Sequence, residues 1–344
     1  MTSPEVGPLF GACVARALDR EWQEQGAPDP FLVIEAGAGR GRLAREILRA
    51  RPACAPALHY VLVERSATLQ EQQRDALDLE PADEALGPFG KAAHEDTPVA
   101  VAGNGPVFVA LDELPGLELS GVVLANELLD NLPFGIAHYD GARWQEVRVA
   151  LRAPGEVALT AGGLVELLVP ADESDADALR EVTAGLEVAA GSRLPIPRGI
   201  DEWFAACARM LRHGVILAID YVDDARGLLE RGPESWLRTY RAHERGSAPL
   251  DVPGDQDLTA DVVREQVVRT ARASGFTLTG DRSQAEWLGD LDIDGLVNVG
   301  RETWEARAHL GDLEALAGRS RATEAAALTD PAGLGAHRVL RFAR

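Results

Sequence analysis

One stretch of the chain, from Phe31 to Arg49, constrains the fold more than any other. It reads FLVIEAGAGRGRLAREILR. The first four residues are continuously apolar, as a strand covered on both faces requires, and we expect Glu35 to end this strand. Three glycines at alternate positions then permit a sharp turn, and apolar residues at helical spacing follow, with Leu43 and Ile47 on one face. The stretch therefore predicts a strand, a glycine-rich turn and an amphipathic helix.

The spacing of the glycines indicates which ligand this turn would hold. A dinucleotide-binding turn follows G-x-G-x-x-G, which counted from Gly37 would require a small residue where this chain has Arg42. The actual pattern is G-x-G-x-G, formed by Gly37, Gly39 and Gly41 and preceded by Glu35. S-adenosylmethionine has an ammonium and a sulfonium group instead of phosphates, so the acid would be an electrostatic partner for it. We expect the ligand to lie against exposed N–H groups of the turn; the alternative is a tight turn with a purely structural role.

Two further predicted strands end in polar residues. The segment HYVLVE ends at Glu64, one βαβ unit after the glycine turn, so its carboxylate can accept hydrogen bonds from ribose hydroxyls. The strand of residues 119–125 runs into Asn126, Glu127 and Asp130, in the sequence ANELLDNLPF. Because the carboxyl ends of parallel strands meet at one sheet edge, these side chains point to the same ligand site. Helix capping is the alternative role for Asn126 and Asp130.

The pattern changes after residue 135 and predicts the domain organisation. Alternating apolar residues with turns at Asp140-Gly141 and Gly162-Gly163 predict an antiparallel hairpin followed by an acidic helix. We therefore predict an α/β fold, a Rossmann-like sheet with helices on both faces plus an inserted hairpin and helix subdomain. The cofactor domain would comprise residues 1–135 and 196–344. The insertion, 136–195, would shape or cover the substrate cleft, and a long loop without its own structure would lie on the substrate side at 238–257.

Composition excludes several classes of function. With 34 basic and 55 acidic residues the net charge is -21, so we expect no nucleic-acid partner. The three cysteines have neither C-x-x-C spacing nor nearby histidines, which argues against a metal site and a disulfide framework. No apolar run approaches the length of a membrane helix and no signal segment precedes the first helix, so we expect no membrane insertion and a cytoplasmic location.

With these motifs assembled, the chain resembles the MidA family of class I S-adenosylmethionine-dependent methyltransferases, whose mitochondrial members methylate arginine in the assembly of respiratory complex I. Members usually begin well before the TSPEV stretch, so we expect either a late start of the reading frame or a reduced lid. The matching stretches, in the expected order along most of the chain, are TSPEVGPLFG (2–11), EAGAGRGRLAREILR (35–49), LVERSATLQEQQ (62–73), ANELLDNLP (125–133), AIDY (218–221) and RTYRAH to PGDQDLTADV (238–262).

The resemblance implies roles for particular residues. The cofactor would be bound by the glycine turn with its acid, by the acid after the second strand and by the asparagine of ANELLDNLP. Acids and a histidine near the same cleft would act in catalysis. The implied cofactor-binding residues are Glu35, Gly37, Gly39, Gly41, Glu64 and Asn126, and the implied catalytic residues are Glu127, Asp130, His243 and Asp257.

The acceptor of the methyl group stays open at this stage. If it is a guanidinium, Glu127 and Asp130 would orient it by forked hydrogen bonds. The resemblance makes a protein substrate, such as a complex I subunit, the first possibility. A small-molecule acceptor is the second, and the third is an assembly or binding factor that keeps the fold without turnover. The sequence does not determine the oligomeric state either, and a homodimer is one of the alternatives.

Overall fold

The computed structural model describes residues 2–86, 103–151, 163–241 and 244–344. The chain forms two compact units. Unit 1 comprises Met1–Leu128, Ala205–Ile219 and Gly275–Arg344, and unit 2 comprises Leu129–Phe204 and Asp220–Ser274. Unit 2 is thus larger than the predicted insertion, because residues 220–274 join it.

The secondary structure of the described residues alternates between strands and helices in the first part of the chain. The strands are β1 (Phe31–Ala36), β2 (Leu58–Val63), β3 (Val107–Leu111), β4 (Leu119–Asn126), β5 (Gly135–Tyr139), β6 (Trp144–Leu151), β7 (Leu164–Pro170), β8 (Arg193–Ile196), β9 (Leu211–Asp220), β10 (Val222–Asp223), β11 (Leu237–Arg241), β12 (Glu244–Arg245), β13 (Asp257–Ala260), β14 (Val262–Val263), β15 (Thr277–Ser283) and β16 (Arg338–Ala343). The α-helices are α1 (Ser3–Val6), α2 (Pro8–Glu24), α3 (Arg42–Ala50), α4 (Ala67–Ala76), α5 (Ala82–Ala85), α6 (Glu173–Val182), α7 (Arg198–Met210), α8 (Ala225–Arg231), α9 (Pro233–Trp236), α10 (Arg264–Ala273), α11 (Gln284–Asp290), α12 (Ile293–Arg307) and α13 (Leu313–Leu328).

Unit 1 is built on a sheet that has seven strands within the described residues, in the order β15-β16-β9-β4-β1-β2-β3. Strands β1, β2, β3, β4 and β9 pair in parallel, and β15 pairs antiparallel with β16. Every residue of β2 is buried, so the sheet is covered on both faces there. The sheet confirms the predicted α/β fold.

The register of the sheet determines which residues meet at its carboxyl edge. Ala36 at the end of β1 pairs with Val63 of β2 on one side and with Ala125 of β4 on the other. The residues that follow these three positions therefore lie side by side at the carboxyl edge of the sheet. The polar residues among them are Glu64 and Asn126.

Unit 2 is antiparallel in its larger sheets. A four-stranded sheet has the order β7-β6-β5-β8, and a three-stranded sheet the order β12-β11-β13. The predicted turn at Asp140 is present, where the carboxylate accepts the N–H groups of Ala142 and Arg143 at 2.9 Å each. Gly162 of the second predicted turn lies outside the described residues.

Two predictions about local structure are wrong. β1 does not end at Glu35 but continues to Ala36, so the acid is part of the buried strand. The segment 238–257 is not a structureless loop, since β11 pairs with β12 and with β13. These strands are short and largely exposed, and for that reason they lack the apolar alternation by which a strand is recognised in sequence.

Candidate functional site

The glycine turn after β1 has the conformation that its sequence predicts. Gly37, Gly39 and Gly41 have φ of 72°, 54° and 70°, in the region that glycine adopts more readily than other residues. A Cβ at Gly37 would lie 3.0 Å from Leu128, and one at Gly41 would lie 3.1 Å from Leu62. A Cβ at Gly39 would meet no atom within 4 Å. The middle glycine therefore faces open space that a ligand can fill.

The N–H groups of the turn already have partners. Those of Gly37 and Ala38 donate to the Val63 carbonyl at 2.9 and 3.0 Å, and that of Gly41 donates to the Ala38 carbonyl at 3.0 Å. The N–H of Gly39 donates to Glu64 Oε2 at 3.0 Å. The expectation that a ligand lies against exposed N–H groups is therefore wrong for these four. The turn offers space beside acids, which suits a cationic ligand better than a phosphate.

Glu64 is held in a fixed orientation beside this space. While Oε2 accepts the Gly39 N–H, Oε1 accepts the Ser66 N–H at 2.9 Å. The Gln73 side-chain amide in turn donates to the Gly39 carbonyl at 2.7 Å, which ties the turn to α4. Each carboxylate oxygen has a second lone pair, so Glu64 can still accept hydrogen bonds from a diol such as ribose.

Glu35 is buried in the sheet, with 4% of its surface exposed. The Tyr60 hydroxyl donates to its Oε2 at 2.9 Å. Burial raises the pKa of Glu35 to about 8, the Tyr60 hydrogen bond opposes that rise, and the charge of Glu64 adds to it. In the free protein at neutral pH this carboxyl is therefore mostly protonated, and a cation placed beside it would favour its ionised form.

The end of β4 places two predicted site residues in unusual environments. Asn126 Oδ1 is buried and has no hydrogen-bond partner among the described residues. Glu127 has φ of 52°, which is uncommon for a residue with a side chain. Its N–H donates to the Ile219 carbonyl at 2.8 Å, so pairing with β9 holds this conformation. An orphaned acceptor next to a strained residue is typical of a ligand-binding or catalytic site.

The N-terminal helix α1 orients the Glu127 side chain. The Ser3 N–H donates to Glu127 Oε1 at 3.0 Å. Ser3 is itself fully buried, and its hydroxyl donates to Gln284 Oε1 at 2.9 Å. The TSPEV stretch marked this segment in the sequence, but residue patterns alone gave it no role, because its partner is 124 positions away.

Unit 2 contains Asp130 in a pair of buried carboxyl groups. Asp130 lies within hydrogen-bonding reach of Asp220, so the two carboxyl groups titrate as an interacting pair. The Leu129 N–H donates to Asp220 Oδ2 at 2.7 Å, and the Asn131 amide donates to Asp130 Oδ1 at 2.7 Å. Burial raises the pKa of Asp130 to about 6, although the positive charge of Arg238 opposes the rise.

Further charged residues of unit 2 surround this carboxyl pair, and sequence reasoning did not single them out. Asp261 Oδ1 lies 2.5 Å from an Arg238 guanidinium nitrogen, and Asp261 Oδ2 lies 3.1 Å from Arg231. The Arg238 guanidinium also lies over the Tyr221 ring, 5.3 Å from its centroid. Asp220 and Asp261 lie in the AIDY and PGDQDLTADV stretches, and these stretches are the sequence signal that could have identified them.

The remaining predicted catalytic residues are less informative. Asp257 is exposed at the first position of β13 and pairs in register with Tyr240. His243 lies outside the described residues. The structure thus assembles Glu35, Gly37, Gly39, Gly41, Glu64, Asn126 and Glu127 in unit 1, while Asp130 and Asp257 belong to unit 2.

Among the described residues no group of three or more His, Cys, Asp or Glu is arranged to hold a metal ion, and no helix has the length and hydropathy of a membrane span.

Replacing glycines of the turn should separate stability from binding. Gly41→Ala combines an unfavourable φ with contacts to Leu62 and Leu77, so we expect it to lower the free energy of unfolding by about 2 kcal/mol or more. Gly39→Ala carries only the conformational cost, about 1–2 kcal/mol, but fills the ligand space. Urea unfolding and calorimetric titration with S-adenosylmethionine would measure the two effects. Gly39→Ala with unaltered cofactor affinity would contradict the proposed position of the ligand.

Replacing Asp130 of the carboxyl pair in unit 2 should change the free energy of unfolding in a way that depends on pH. The Asp130 pKa is higher in the folded state than its ordinary value of 3.8, so its contribution to stability falls as pH rises from about 4 to 6. Asp130→Asn should therefore stabilise the protein at pH 7.5, by about 1–3 kcal/mol, and have little effect at pH 4. Urea unfolding at both pH values measures this. Equal stabilisation at both would show that ionisation is not the cause.

The parallel sheet, with a glycine turn after its first strand and an acid after its second, defines the class I fold of S-adenosylmethionine-dependent methyltransferases. The chain belongs to a family of S-adenosyl-L-methionine-dependent methyltransferases, whose model matches residues 13–281. This match confirms the resemblance found in the sequence. Asn126 Oδ1, which lacks a partner in the described chain, and the open space at Gly39 fit such a cofactor.

Two curated relatives are both named "Protein arginine methyltransferase NDUFAF7 homolog, mitochondrial". The one from Drosophila melanogaster is 26% identical over 80% of this chain and 60% of its own length. The one from Caenorhabditis elegans is 26% identical over 86% of this chain and 65% of its own length. The chain thus spans less than two thirds of these relatives. Because they are mitochondrial proteins, the predicted cytoplasmic location is wrong.

Solved structures agree with the family assignment. A superfamily member from Burkholderia thailandensis, bound to S-adenosyl-homocysteine, aligns with a TM-score of 0.76 and 25% identity, over 100% of this chain and 78% of that chain. A native structure from the same organism aligns with a TM-score of 0.75 and 25% identity, over 100% of this chain and 81% of that chain.

Proposed function

We propose that this chain transfers a methyl group from S-adenosylmethionine to a nitrogen of an arginine side chain in a protein. The observation that carries the cofactor assignment is the juxtaposition of Glu35, Glu64 and the open side of Gly39 at one sheet edge. The names of the curated relatives support arginine as the acceptor. The resemblance to the MidA family makes a subunit of respiratory complex I the acceptor to test first.

The cofactor would be held by charge and by hydrogen bonds rather than by the turn's N–H groups. Glu35, once ionised, would pair with the ammonium group, and Glu64 would accept hydrogen bonds from the ribose hydroxyls. Asn126 Oδ1 offers a buried acceptor for a further donor of the cofactor. When bound, S-adenosylmethionine supplies an activated methyl group, so the protein needs mainly to align the acceptor with it.

Glu127 would orient the acceptor. Its strained backbone and the bond from Ser3 fix the carboxylate before any substrate arrives, so that little ordering remains to be done on binding. A carboxylate can hold a guanidinium by parallel hydrogen bonds and direct one nitrogen toward the methyl group. Transfer to that nitrogen breaks the carbon–sulfur bond, forms a carbon–nitrogen bond and releases one proton from the nitrogen. The released proton passes to solvent.

The decisive experiment is transfer of labelled methyl from S-adenosylmethionine into a lysate that lacks this protein. We expect label in a protein band, and methylated arginine after its acid hydrolysis. Label confined to small molecules would instead support a small-molecule acceptor. Cofactor binding without any transfer would support a non-catalytic assembly factor. The Glu64→Ala variant serves as the control for background labelling, since it removes the proposed ribose ligand.

A further inference from the structure

A pocket of about 480 Å³ in unit 2 is lined by four arginines, in a chain whose net charge is -21. It lies between the end of α6, the start of α8 and one face of α10. Arg264 and Arg272 are eight residues apart on α10, so they lie on the same face, with Val268 between them. Arg226 of α8 and Arg269 of α10 complete the basic lining.

The acidic residues of the pocket are already engaged with neighbouring groups. Glu181 Oε2 pairs with Arg269 at 3.2 Å. Asp224 accepts the Gly227 N–H at 2.7 Å, and Glu265 accepts the Ala225 N–H at 3.0 Å, so both acids serve the start of α8.

Two of the arginines have no such engagement. Arg226 and Arg272 are exposed and form no ion pair with any residue of the described chain. Four arginines and three carboxylates line the pocket, so the lining keeps one positive charge in excess, and the guanidinium groups of Arg226 and Arg272 are open to a ligand. Guanidinium groups recognise carboxylates and phosphates through paired hydrogen bonds.

The rest of the lining is apolar, and the volume is that of a small-molecule site. Val182, Leu186 and Val268 provide aliphatic surface beside the arginines. Pockets of roughly 300–1,000 Å³ commonly hold metabolite-sized ligands. The combination suits a molecule with a carbon skeleton and anionic ends.

The overall charge favours a small ligand over a macromolecule. A large polyanion would cover a wide area of a surface whose net charge repels it. A small anion inside the pocket interacts mainly with groups within the Debye length, about 8 Å at physiological salt, and in the pocket lining the arginines outnumber the carboxylates.

We propose that this pocket binds a small organic anion carrying a carboxylate or a phosphate group. Arg226 and Arg272 hold the anionic group, and Val182 and Val268 contact the carbon skeleton. None of these residues belongs to the proposed methyl-transfer machinery, so the two proposals can fail separately.

The test is calorimetric titration of the full chain with citrate and with pyrophosphate at low ionic strength. We expect at least one of them to bind with submillimolar affinity, and the double variant Arg226→Gln, Arg272→Gln to weaken that binding by about tenfold or more. The control is Arg212→Gln, Arg301→Gln, which removes two exposed arginines of unit 1 and the same net charge. Unchanged S-adenosylmethionine affinity would show that the variants are folded.

The outcomes distinguish a carboxylate ligand from a phosphate-bearing one. Citrate binding alone indicates a carboxylate ligand, and pyrophosphate binding alone a phosphate-bearing one; both support the site. Absence of binding by both probes at millimolar concentration overturns the proposal. Equal weakening in the pocket variant and in the control also overturns it, because the effect would then reflect overall charge.

Discussion

Glu35→Gln is expected to weaken S-adenosylmethionine binding by about a hundredfold while making the free protein more stable. Both effects follow from the burial of the Glu35 carboxyl, which favours a neutral side chain in the free protein and an ionised one beside a bound cation. In the free protein the carboxyl is mostly protonated at neutral pH, and a glutamine can accept the Tyr60 hydrogen bond in its place. What glutamine cannot do is ionise when a cationic ligand arrives.

The stability change has a defined pH dependence. The folded-state pKa of Glu35, about 8, lies above its ordinary value of 4.5, so the folded state binds more protons and loses stability as pH rises between these values. Glu35→Gln removes this loss and should be more stable by about 3 kcal/mol at pH 7, with no difference near pH 4. Urea unfolding of both proteins between pH 4 and 9 measures it. Other buried acids affect both proteins equally, so the difference between them isolates Glu35.

Cofactor binding should release a proton. If the ligand's cation ionises Glu35, affinity should rise between pH 6.5 and 8, and binding at pH 7 should release close to one proton. Calorimetry in buffers with different ionisation enthalpies counts that proton, and Glu35→Gln should release none. Wild-type affinity that is independent of pH across this range would show that Glu35 does not pair with the cofactor.

The sequence predicted the parallel sheet of unit 1 and the residues at its carboxyl edge, for a physical reason. The strands of unit 1 that carry it are continuous apolar runs, and parallel pairing places the residues after them at one edge whatever the rest of the chain does. The positions of Glu64 and Asn126 follow from that rule alone. The location of the glycine turn follows from the residues that tolerate its backbone angles.

The chemical state of the site could not be read from the sequence. Glu35 is protonated because it is buried, which no local pattern reveals, and the hydrogen bond that Tyr60 of β2 donates to it opposes that protonation. The Asp130–Asp220 pair and the Ser3–Glu127 bond join residues far apart in the chain. The strands around Thr239 were missed because sheet pairing formed them without apolar periodicity.

Glu127→Gln is expected to reduce methyl transfer by about a thousandfold and to leave cofactor affinity within about twofold of wild type. Glutamine keeps an oxygen that can accept the Ser3 N–H, so the side chain stays in place. It loses the negative charge that would orient a guanidinium. Initial rates of labelled methyl transfer, with calorimetry for the cofactor, measure the two effects separately.

Two further variants control for the backbone strain at Glu127 and for the change in overall charge. Glu127→Gly should remove the strain at φ of 52°, which stabilises the protein by about 1 kcal/mol, and loss of the Ser3 bond should offset part of that gain. It should also abolish transfer. Glu118→Gln, an exposed acid before β4, has the same charge change as Glu127→Gln and should leave the rate unaltered.

The two rate measurements together decide the role of Glu127. A fall in transfer for both Glu127 variants, with cofactor binding and folding retained, places the carboxylate in the transfer step, because the rate falls without any effect on binding of the first substrate. If Glu127→Gln transfers methyl at the wild-type rate, the charge is not used, and the strain and the Ser3 bond serve only to join α1 to the sheet. In that case the acceptor must be oriented by other groups.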